Sequence, residues 1–189
     1  MNQQWKTREI ARILGFTVGL AVCGALSSRI LQADLPRIGA YLVGLPFAWL
    51  CASFCARPWR RAPWAVVMIA AAWALAYITA LWLHNDRFPD VAFLTAGLVG
   101  GLGVAAGMAV GAGACRSWRA VILTAAIGAG SAWPFGIYDR GAQAFAPWSE
   151  AAFLDLCFVV WQVSVGLCVY GLASLPRWRG EVTPGPVPL

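Results

Sequence analysis

The chain has 189 residues, of which 60% are hydrophobic and 12% charged, and its formal net charge is +6. This is too apolar for an ordinary soluble domain of that length, which excludes a soluble enzyme. In so apolar a chain a basic balance reports membrane topology and contact with anionic lipid. The expected partner is therefore the lipid bilayer, and no nucleic acid is expected.

A membrane-spanning helix needs about 20 mainly apolar residues, so the distances between charged markers outline the elements. Lys6, Arg8 and Arg12 lead into "ILGFTVGLAVCGALSS", the core of a first span at about 10–31. Its basic-then-apolar order is also that of a cleavable signal, although valine before Cys23 departs from a lipoprotein box. Cleavage would leave five spans with the new N-terminus outside. A second span is expected at about 38–56, between Arg37 and Arg57, and a third at about 63–83, between Arg61 and His84.

The fourth span, about 91–115, contains "GLVGGLGVAAGMAVGAGA", a stretch with almost no large side chains. Gly103, Gly107 and Gly111 are spaced by four and share one helix face, and Gly97 with Gly101 makes a second small-residue pair. In lipid, where no hydrophobic effect separates helix from solvent, such faces let backbones approach closely. The five glycines are expected at a helix-packing or partner interface. The fifth span is expected at about 118–137 and the sixth at about 153–175. The fold class is thus all-α: one six-helix transmembrane domain over 1–176, then a short disordered cytoplasmic tail over 177–189, whose prolines and length do not suit a fold.

Basic residues are retained on the cytoplasmic side. With the N-terminus inside, Lys6, Arg8, Arg12, Arg57, Arg60, Arg61, Arg116, Arg119, Arg177 and Arg179 are cytoplasmic, while Arg29, Arg37, Arg87 and Arg140 are not. Most acids fall on the other side, at Asp34, Asp86, Asp90, Asp139, Glu150 and Asp155. Trp5, Trp59, Trp64, Trp118 and Trp178 mark one interface and Trp82 and Trp148 the other, whereas Trp73 and Trp161 fall mid-span as packing residues. The expected location is a bacterial-type inner membrane with both termini cytoplasmic.

Chemistry is sparse. The loop "LHNDRFPD" and the "YDR" at 138–140 face the same outer side, so Asp86, Arg87, Asp90, Asp139 and Arg140 form a candidate outer polar site for a small polar solute. Gln162 adds polarity at mid-span. The spans carry essentially no ionisable side chain, which argues against proton- or sodium-coupled transport. One histidine in the chain cannot supply a bis-histidine haem or activate a nucleophile within a span. Cys51, Cys55 and Cys115 share one depth and could bind a soft metal, but no CxxC is present and cysteine is a common apolar filler. No cofactor, metal or catalytic residue is expected.

The segment "DVAFLTAGLVGG", through Asp90, Gly97 and Gly101, resembles a spacing found in VanZ-like membrane proteins, with Leu94 standing where that pattern has asparagine. It covers a dozen residues and carries no function over. Two functional expectations follow from the residues. The first is a non-enzymatic assembly subunit that binds another copy or another membrane subunit through small-residue helix faces. The alternative is a solute-binding or solute-conducting component of a small-molecule transport system.

Overall fold

A computed structural model of the chain describes residues 3–33, 42–55, 59–85, 89–111, 113, 115–141 and 149–174. Its α-helices are α1 (Gln3–Gln32), α2 (Leu45–Cys55), α3 (Ala62–Asn85), α4 (Pro89–Gly111), α5 (Trp118–Ser131), α6 (Trp133–Gly141) and α7 (Glu150–Ser174), with a short 3-10 turn at Trp59–Arg61. No strand occurs among the described residues. Five helical segments are long and apolar enough to cross a membrane: Thr7–Gln32, Trp59–His84, Val91–Gly111, Trp118–Ile137 and Ala151–Ser174. Such a set suits a multi-pass membrane protein.

Local chemistry explains the boundaries. Ser117 caps α5, its hydroxyl accepting from the Arg119 N–H, and Ser149 caps α7 by accepting from the Ala152 N–H. Pro89 opens α4, where its missing N–H costs nothing. The fifth segment is interrupted at Ala132, whose N–H turns back to the carbonyls of Ala129 and Gly130. Pro134 lies just beyond and cannot donate to Gly130, so the regular ladder stops there.

The second expected span, 38–56, is represented among the described residues by α2. Its 11 residues span about 16 Å, roughly half a hydrocarbon core. The helix begins at the depth of Ser27, whose hydroxyl donates to the Val43 carbonyl at 2.7 Å. At its other end the Arg12 guanidinium donates to the Phe54 carbonyl, placing a cation on the last turn of α2.

The helices close in a ring. α1 packs on α7, α7 on α5, α5 on α4, α4 on α3, and α2 fits between α3 and the α1–α7 pair. One end of the ring carries the Arg29–Asp155 ion pair, at 2.7 Å. The opposite end carries Tyr170, which donates to Glu9 at 2.9 Å and lies under the Arg12 guanidinium. The main core, built on Phe16, Leu20, Phe47, Ile69, Met108 and Val165, fills the Tyr170 half, where α2 completes the ring. Outward faces are apolar: Leu14, Val18, Val22 and Leu26 form an exposed stripe along α1. A soluble monomer rarely exposes so much contiguous apolar surface.

Candidate functional site

The glycine-rich helix is settled against its own neighbours. A side chain at Gly103 would collide with Ala72, one at Gly107 would come within 2.9 Å of Ile69 Cγ1, and one at Gly111 would strike Ala65, all on α3. On the other face, Gly97 lies against Gly128, and a Cβ at Gly101 would sit 2.6 Å from the Thr124 carbonyl, both on α5. All five glycines therefore face α3 or α5 at close range. Cα hydrogen bonds and dispersion act at this spacing without any large side chain. Beyond α4 the chain turns tightly, with Gly113 at φ 68° and Cys115 at φ 57°. Among the described residues, no group of three or more His, Cys, Asp or Glu side chains is arranged to hold a metal ion.

The outer polar residues fall largely outside the described structure. Asp86 and Arg87 lie outside the described residues. Asp90 opens α4 and Asp139 and Arg140 belong to α6, but their side chains lie outside the described set. Gln162 is fully buried between α1 and α7, where its amide nitrogen donates to the Ser27 hydroxyl at 2.7 Å. It thus belongs to a chain of bonds running from Gln162 through Ser27 to the backbone ahead of α2. Its Oε1 is buried without a hydrogen-bond partner.

A different site occupies the ion-pair half of the ring, beyond the first residue of α2. It is a cavity of about 410 Å³, in the range of small-molecule sites. α3 supplies one wall with Trp73, Ala76, Tyr77, Ala80, Leu81 and His84. Their spacing of three, four and seven keeps them on one face of that helix. α4 adds Phe93, Ala96 and Gly97, and the interruption between α5 and α6 adds Ala132 and Phe135. Leu154, Phe158 and Trp161 of α7 and Leu31 of α1 close the far side.

The floor is an aromatic cluster. Trp73 stacks on Phe158, with ring centroids 5.7 Å apart and planes at 12°, and meets Trp161 edge-on at 4.8 Å. Trp161 is held by donating its indole N–H to the Gly128 carbonyl at 3.0 Å. Gly44, just before α2, backs onto Trp73: a Cβ there would sit 2.5 Å from the Trp73 side chain. Nearer the mouth, Phe93 stacks with Phe135, and Phe135 meets Phe158 edge-on. Such clusters hold their rings in fixed offset geometries and give the walls a defined shape.

Both breaks in regular helix, before Leu45 and at Ala132, thus abut this cluster. Irregular backbone at membrane depth is tolerated where it is buried in protein or lines a cavity, and interrupted helices frame the binding sites of many transport proteins. The sequence reading placed Trp73 and Trp161 mid-span as packing residues, and they do pack, on each other. What it missed is the space beside them. The available signal was the aromatic series at 73, 77, 158 and 161 together with a second span rich in turn formers near Gly44. No family model, curated protein or solved structure matches the chain, so the VanZ-like spacing at Asp90, Gly97 and Gly101 stands on those residues alone.

Proposed function

We propose that this protein is a non-enzymatic, solute-binding component of a bacterial-type inner membrane, and that its ligand occupies the aromatic cavity. The observation that carries this reading is the cavity's position, where two helix interruptions meet a cluster of stacked aromatic rings. Its lining favours an apolar or amphiphilic molecule over the small polar solute suggested by the loop charges. The same reading takes the chain through the membrane six times, with α2 as part of the second pass and both termini cytoplasmic. Arg8 and Arg12 on α1, Arg60 and Arg61 before α3, and Arg116 before and Arg119 at the start of α5 all belong to the Tyr170 end, as positive-inside retention requires. Movement of the ligand across the membrane would need an energy-supplying partner or a gradient.

Native mass spectrometry of gently solubilised protein tests the site. Purified protein should carry a defined small-molecule adduct, and Ala80→Trp, which fills the cavity from α3, should remove it. A folded Ala80→Trp protein that keeps the adduct would overturn the assignment. The assembly-subunit reading draws support from Gly15 and Gly171, beyond which no neighbouring atom lies within 4 Å. It would be favoured if the same spectrum held a discrete oligomer or a second subunit.

A further inference from the structure

We propose that the cavity takes one hydrocarbon tail of a bilayer amphiphile, and that the Trp73–Trp161 floor limits the length of tail admitted. This rests on the reading of the cavity as the ligand site and adds the ligand's class.

The first observation is a gradient of polarity along the cavity. His84 lines its mouth, Tyr77, Gly97 and Ala132 stand at mid-depth, and the deep end is Trp73 and Trp161, whose one unpartnered polar atom is the buried Trp73 Nε1. The Arg29–Asp155 pair stands at the height of the mouth, because Leu31 and Leu154, their near neighbours in sequence, both line it. Among the described residues, no charged side chain lines the cavity. A ligand that is polar at one end and apolar along its body matches this order in one orientation only.

The second observation is charge. Arg29 and Asp155, 2.7 Å apart, compensate each other near the mouth without lining the cavity, and no described residue that lines it is charged. The third is shape. From His84 to Trp73 is eleven residues of α3, a depth of about 16 Å. The volume of about 410 Å³ over that depth is a narrow slot suited to a single chain. The rim on α3 includes Leu81 and His84, both exposed.

The test uses the full chain in nanodiscs and a series of single-tailed phosphocholine amphiphiles brominated at the tail end, read by saturable quenching of tryptophan emission. Counted against its mole fraction in the disc, a tail that fits should bind about equally at each length, because bilayer and cavity are both apolar, and binding should stop once the tail outruns the floor. Ala80→Phe, at mid-depth on α3, should move that stop to shorter tails. Ala96→Phe, at the same height on α4, should do the same and serves if the first variant fails to fold. Binding that continues at every tail length, or a stop unchanged in both folded variants, overturns the length limit. Absence of saturable quenching with every tail overturns the cavity as a ligand site, and the length limit with it.

Discussion

Gln162 shows how a single mid-span polar residue divides between structure and function. Its amide nitrogen bonds Ser27, yet Ser27 already satisfies the Val43 carbonyl, and the Gln162 Oε1 is left buried without a partner. A buried unmade hydrogen bond costs about 1–3 kcal/mol, which offsets most of what the made one contributes. Gln162→Leu should therefore leave stability within about 1 kcal/mol of the parent, because an apolar side chain removes the orphan along with the bond. Ser27→Ala, by contrast, leaves the Val43 carbonyl unsatisfied and should destabilise by about 1–2 kcal/mol. Unfolding in a mixed detergent titration measures both. A large loss in Gln162→Leu alone would mean that Oε1 has a partner, such as a bound water, that holds it in the membrane. The sequence marked Gln162 as unusual through its polarity at mid-depth. Its true neighbour is 135 residues away, and no spacing along the chain reveals that.

At the scale of the element, α4 shows which glycines matter and why. Gly101 faces the backbone of α5 and Gly107 faces Ile69 of α3, whereas Gly15 on α1 has open space beyond it. Gly101→Leu should lower stability by about 1–3 kcal/mol or more, since a backbone carbonyl cannot move aside as a flexible side chain can. Gly15→Leu should be nearly silent. Melting of the two variants in detergent, followed by loss of monodisperse protein, distinguishes them, and equal melting would show that α4 is not locked within the ring. Helical period alone identified two small-residue faces on α4. It did not assign them to α3 and α5, because a small-xxx-small face fits any close helix, from the same chain or another. α2 carries the complementary lesson. Charge spacing outlined a pass at 38–56, while the helix described there starts at Leu45, where the turn at Val43–Gly44 is pinned by Ser27 and backed by Trp73.

For the whole molecule, orientation remains the property on which the proposed function depends, since it decides which leaflet the cavity mouth faces. With both termini cytoplasmic, a C-terminal fusion to a fluorescent protein should be bright and one to alkaline phosphatase inactive; the reverse pattern would invert the mouth. Exposed Trp59, Trp64 and Trp118, each about two-thirds exposed, stand near one end of the ring, and Trp82, exposed at 65%, near the other. This is the placement an interface-seeking indole would take. Sequence by itself determined the all-helical class, the apolar segments and the bias of basic residues, because the bilayer imposes length and charge rules that act on each segment separately. Only the tertiary structure decided which helices the glycines of α4 touch, that Arg29 pairs with Asp155, and that Trp73 and Trp161 floor a cavity. Those features depend on side chains far apart in the chain being brought to one depth, and a space between helices has no residue of its own to announce it.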